Sequence, residues 1–159
     1  MSVSLEAPFV VLGPVLESLR EGLSDSLIAV TLFGSQARGD ADLESDWDLL
    51  IIAKNLPESP WQRQKHLVAL LPAKGYPPIN LLAYTPAEWF GRVTPLALDV
   101  ALDGIVLYEK NDAMFSARLR VLREQLSDLG LERKTLGKGE WIWLWRDQPR
   151  LQWRLEWAR

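Results

Sequence analysis

Two short apolar runs, LIAVTLF at 27–33 and LLIIA at 49–53, stand out from an otherwise mixed pattern. Both are too short for an ordinary helix and predict buried strands at 27–33 and 46–53, the second opening on Asp46-Trp47-Asp48. Between them the pattern turns polar, and Gly34-Ser35 predicts a turn that opens a short helix. Upstream, Pro14 suits a first helical turn, and Val15, Leu16, Leu19 and Leu23 give an apolar stripe, so a helix is expected to start at Pro14. Nothing in the pattern assigns residues 9–12.

Downstream, Ser59-Pro60-Trp61-Gln62 carries a cap, a proline and a glutamine in the order that opens a helix, here to about Leu71. Residues 78–84 read as a third strand. Thr85-Pro86-Ala87-Glu88 is a second capping box, for a short helix through Trp89 and Phe90, and Thr94-Pro95 starts another to about Leu102. A fourth strand is expected at 105–108. Asn111-Asp112 is a candidate cap for a long helix with Phe115, Leu119, Leu122, Leu126 and Leu129 on one face, closed by Gly130. The expected fold class is α/β (α+β), a small mixed sheet of about four strands with helices packed on it.

The C-terminal stretch holds five of the eight tryptophans. Trp141, Trp143 and Trp145 alternate, as do Leu151, Trp153, Leu155 and Trp157, with Arg-Asp-Gln-Pro between the two sets. That period of two predicts a Trp-rich β-hairpin pairing these segments. Its aromatic face either covers the body of the protein or serves self-association or a partner, since interfaces favour Trp and Arg.

Composition narrows the possible functions. The 159 residues, 48% hydrophobic, suffice for one core, and 18 Lys and Arg against 21 Asp and Glu give a net charge of −3. A basic stripe is missing, which disfavours general nucleic-acid binding. Cysteine is absent, removing disulfides and thiolate chemistry. No leader and no membrane-spanning run is evident, so the expectation is a cytoplasmic protein without a membrane partner.

The chemistry gathers at 30–52. Gly34 lets backbone approach a ligand without a Cβ, and Ser35 adds a hydroxyl donor at a helix start, where unpaired N–H groups favour an anion. Asp46 and Asp48, two apart on a strand, are expected to share a face. Adjacent carboxylates repel unless a cation lies between them, and hard oxygen ligands suit Mg²⁺ carrying the phosphates of a substrate. His66, the only histidine, has the character of a surface residue on its helix.

GSQARGDADLESDWDLL, residues 34–50, resembles the signature of the nucleotidyltransferase superfamily related to DNA polymerase beta, particularly its minimal members: Gly-Ser, ten residues, then Asp-x-Asp. The resemblance implies a nucleotidyltransferase domain over 1–133, with 134–159 a Trp-rich extension packed on it. It implies a Mg²⁺-dependent transfer of a nucleoside monophosphate, AMP from ATP, to a hydroxyl acceptor. Catalytic positions would be Asp46, Asp48 and Asn80; metal ligands Asp46 and Asp48; nucleotide-binding residues Gly34, Ser35 and Arg38. Minimal relatives are often paired as antitoxins with a HEPN-type toxin, some modifying it with AMP, so a protein acceptor is expected. Homo-oligomerisation through the tail is a further expectation.

One position departs from the active members, whose third acidic residue lies on the strand at 78–84. Here that position is Asn80, which can ligate a metal but cannot serve as a base. The alternative is therefore a catalytically weak or inactive binding or regulatory module that keeps the fold. Glu88 and Asp99 are the other acids within sequence reach, each equally readable as a capping or solvated residue. Arg38 is read first as the partner of a loop or motif aspartate.

Overall fold

The computed structural model describes residues 7–111, 114–137, 140–149 and 152–158. In chain order, α1 (Ala7–Leu23) leads through a single 3-10 turn to β1 (Leu27–Phe33), α2 (Gly34–Arg38) and β2 (Trp47–Ala53). Then come α3 (Pro60–Leu70), β3 (Ile79–Tyr84), α4 (Pro86–Phe90), α5 (Pro95–Asp103) and β4 (Ile105–Glu109). The described chain closes with α6 (Phe115–Leu129), β5 (Leu131–Gly137), β6 (Glu140–Trp145) and an irregular tail.

Four strands form a mixed sheet in the order β3-β2-β1-β4, with β3 parallel to β2 and the other pairs antiparallel. Because β1 and β2 are buried on both faces, their sequences read as unbroken apolar runs rather than alternating ones. Their alternate residues serve two cores. Val30, Leu32, Leu49 and Ile51 meet Leu12, Val15, Leu19 and Leu67 from α1 and α3. Ala29, Leu50 and Ile52 meet Trp89, Ala97, Val100, Phe115 and Leu122 from α4, α5 and α6. Asp48 and Asn80 are in phase with the second set, so they point to the side of the sheet that carries α4, α5 and α6.

Three expectations need correction. The first helix starts at Ala7 and runs through Pro14. A proline inside a helix releases the carbonyl four residues back, here that of Val10. Val10 is 76% exposed and Pro14 is itself exposed, so the released carbonyl lies on the solvent side of the helix. Pro8 and Leu12 simply extend the buried stripe.

The hairpin is real, but its strands are β5 and β6, with Leu131 opposite Trp145, Arg133 opposite Trp143 and Thr135 opposite Trp141. The tail returns as irregular chain, touching the hairpin through a Trp145–Trp153 ring contact at 5.4 Å, and Leu151 lies outside the described residues. Gly130, at φ +72, ends α6 as expected and turns the chain straight into β5. The tryptophans of β6 face inward while Ile142 and Leu144 face out. Trp143, Leu155 and Trp157 pack against the second core.

The long helix is not capped by Asn111, and Asp112 lies outside the described residues. Met114 takes the cap position, and the carboxylate of Glu109 at the end of β4 accepts from the Ser116 N–H at 3.1 Å and from its hydroxyl. The caps of α4 and α5 hold. Thr85 and Glu88 form the reciprocal box of α4, and the Thr94 hydroxyl accepts from Ala97 N–H. Ser59 stands at the cap of α3, though its hydroxyl makes no capping bond.

Candidate active site

Strand pairing assembles the site. The antiparallel register sets Phe33 opposite Asp48, and the parallel register sets Asn80 opposite the same residue. Asp48 therefore sits between the turn leaving β1 and the start of β3. At Gly34 the backbone has φ +73, and a Cβ built there would lie 2.2 Å from Asp48 Oδ2. Glycine is thus favoured twice, by conformation and by space. On the other side, Asn80 Nδ2 donates to Asp48 Oδ1 at 3.1 Å.

Asp46 lies one residue before β2 rather than on it, so the alternation of the strand does not itself set its direction. It is exposed, and among the described residues its carboxylate makes no hydrogen bond or ion pair. The loop before it is tightly tied. Ser45 Oγ donates to Asp42 Oδ1 and accepts from the Asp42 N–H, while Gln36 Nε2 donates to Ser45 O. This loop fixes where the chain enters β2.

Ser35 stands beside Gly34, and its carbonyl accepts from the N–H groups of Gly39 and Asp40. With five residues, α2 is little more than one turn, so its dipole is small. Attraction for an anion at this point rests instead on the unpaired N–H groups at its start. Arg38 closes α2, its Nε 3.2 Å from Asp40 Oδ2, as expected for a loop partner. Its guanidinium also lies 4.6 Å from the centre of the Trp141 ring. That contact was not foreseen, because it joins residues at opposite ends of the chain and leaves no local signal.

The reserve acids are occupied elsewhere. Glu88 Oε1 and Oε2 accept from Arg63, whose guanidinium also donates to the carbonyls of Pro57 and Ala83. Hydrogen bonds from Arg63 first, then from the Thr85 backbone, hold the Glu88 carboxyl down at a pKa of about 2. Asp99 and Asp103 both pair with Arg133. Burial works against the charge of Arg133, but its hydrogen bonds to Asp103 and Asp99 outweigh that and raise its pKa. Neither Glu88 nor Asp99 is available to replace a third acid. His66 is exposed on α3.

The donors present suit a small hard cation. Asp48 keeps Oδ2 free of hydrogen bonds while Asn80 occupies Oδ1, and Asp46 is open to solvent. One or two carboxylates completed by water and substrate phosphates is a usual Mg²⁺ environment. No group of three or more acidic, histidine or cysteine ligands exists among the described residues, so substrate oxygens would have to complete the shell. No helix among the described residues is long and apolar enough to cross a membrane.

Comparison with known proteins agrees with this geometry. Two proteins of Methanocaldococcus jannaschii match short stretches. "Putative protein adenylyltransferase MJ1305" is 47% identical over 57 residues, 36% of this chain and 39% of that protein. "Putative protein adenylyltransferase MJ0141" is 60% identical over 35 residues, 22% of this chain and 35% of that protein. The chain thus aligns with less than half the length of either. A solved structure of the toxin–antitoxin pair MntA–HpeT, in mutant form, superposes with a TM-score of 0.50 at 19% identity, over 73% of this chain and 89% of that one. That likeness is one of fold. A family model described as a nucleotidyltransferase domain matches residues 15–119, well over half of the sequence and all of the site, and the chain belongs to that family.

Proposed function

We propose that this protein is a nucleotidyltransferase that moves AMP from ATP to a hydroxyl on a protein acceptor, with Mg²⁺ as its cofactor. The observation that carries this reading is the half-buried Asp48. It lies at the start of an apolar strand with an amide but no cation beside it, against a turn whose positive φ and close approach favour glycine. A carboxylate placed so has little structural purpose unless a cation arrives with the substrate.

In this reading Asp46 and Asp48 hold the metal, and the backbone at Gly34 and Ser35 cradles phosphate oxygens. When bound, Mg²⁺ supplies charge neutralisation at the triphosphate. The acceptor oxygen forms a bond to the α-phosphorus as the bond to the β-phosphate bridging oxygen breaks, and pyrophosphate leaves. Asn80 takes no proton, because its amide is neutral and donates to Asp48. The proton of the attacking hydroxyl goes to the exposed Asp46 carboxylate or to water, and the rate gain rests on orientation and electrostatics.

The protein acceptor is supported by the names of the two archaeal relatives, and a toxin partner by the MntA–HpeT pair. Use of ATP would support a cytoplasmic location. The outer face of the hairpin leaves Leu136, Ile142 and Leu144 exposed, which supports contact with a partner or a second copy there. The test is incubation with ATP labelled at the α-phosphate, Mg²⁺ and a lysate of the source organism, with Asp48→Ala as control. Label on a protein band, absent for the variant and absent with γ-labelled ATP, is expected. No transfer together with Asp48-dependent ATP binding would favour the second reading, a regulatory module, for which the Asn80–Asp48 hydrogen bond is the supporting observation.

A further inference from the structure

Trp141 lies within reach of two guanidiniums whose situations differ. Arg133 is 5.2 Å from the ring centre, and its Nη1 and Nη2 are taken by Asp99 and Asp103 of α5. Arg38 is 4.6 Å from the same ring, with only 15% of its side chain exposed, and only its Nε is engaged, by Asp40. Among the described residues, Nη1 and Nη2 of Arg38 have no acceptor. A ring face attracts a guanidinium without using its N–H donors, whereas a carboxylate uses them. Arg38 is therefore fixed in place while its fork stays available for an anion.

Its location fits one particular anion. Arg38 follows Gly34 by four residues on α2, which places the two on the same helix face. The Gly34-Ser35 turn, with the Asp48 carboxylate against it, is thus about one helical turn away from Arg38. The hairpin reaches this place from outside the region the family model covers, anchored through Arg133 to α5 and through Trp143 to the second core. We propose that Trp141 is a positioning residue: its ring holds the Arg38 guanidinium ready to bind the triphosphate of the nucleotide. This rests on the nucleotide reading above.

The test is calorimetric titration of a non-hydrolysable ATP analogue with Mg²⁺ into the full chain. Trp141→Leu keeps apolar bulk but removes the ring quadrupole, and it is expected to raise Kd about tenfold, while Trp141→Phe stays within about threefold of the parent. In an Arg38→Ala background Trp141→Leu should add nothing, because both changes remove the same interaction. An equal rise in both backgrounds would assign Trp141 a general structural role and overturn the proposal. So would an unchanged Kd for Trp141→Leu when the parent binds and Asp48→Ala does not. Absence of binding by the parent, or binding that ignores Asp48→Ala, is the separate outcome in which the nucleotide reading itself fails.

Discussion

Two groups of carboxylates are treated in opposite ways. In α4 and α5, Glu88 is gripped by Arg63, and Asp99 and Asp103 share Arg133. At the head of β2, Asp48 has only the Asn80 amide, and Asp46 has no partner among the described residues. The chain does not lack arginines to neutralise acids; it withholds them from this pair. Carboxylates that already have their cation are part of the framework, whereas those without one are complete only when a cation is brought to them.

Removing a member of each group should therefore give different phenotypes. Asp48→Ala is expected to lower Mg²⁺-dependent nucleotide transfer at least about a hundredfold while leaving the thermal midpoint within a few degrees of the parent. Arg133→Ala should act first on stability. It strands two largely buried acids, costing about 2 kcal/mol, which calorimetry would register as a midpoint lowered by about 4–8 °C.

Asn80→Asp would blur the distinction by adding a third charge beside Asp48. Without metal it should destabilise the fold by about 1 kcal/mol through like-charge repulsion, and Mg²⁺ should restore the loss. A thermal melt with and without Mg²⁺ checks this, and a parallel transfer assay shows whether the missing acid limits the rate. Glu88→Gln is the mildest change. Its carboxylate is nearly half exposed, so the pair with Arg63 contributes no more than about 1 kcal/mol. The pKa of Glu88 is lowered on folding from 4.5 to about 2, so its contribution is complete above pH 4.5 and is lost as pH falls through about 2. Melts between pH 6 and pH 2 should therefore converge for Glu88→Gln and the parent at the acid end.

The same contrast explains what could be read from the sequence. The turn and the strands around it were legible because their signals are local: two apolar runs, a glycine at the junction, two acids opening a strand. The fates of Glu88 and Asp99 were not, since Arg63 and Arg133 come from distant segments and nothing in their spacing points to the pairing. In LERKTLG, β5 is too polar to announce a strand; it forms because β6 offers it a partner. The tail shows the converse. Its alternation of Leu and Trp is strand-like, yet residues 152–158 take no strand: Trp153 stays half exposed, and Trp157 packs against Trp89 at 6.0 Å and Phe90 at 5.1 Å. Packing of Leu155 and Trp157 on the second core there prevailed over backbone pairing.

The central claim is that Asp46 and Asp48 have no cation beside them among the described residues because metal and nucleotide supply it together. Titration of ATP into the parent, Asp48→Ala and Glu88→Gln, each with Mg²⁺ and again with EDTA, tests this most directly. Binding by the parent and Glu88→Gln that needs Mg²⁺, with none by Asp48→Ala, is the predicted result. Binding indifferent to Mg²⁺ or to Asp48, or no binding at all by the parent, would contradict the account.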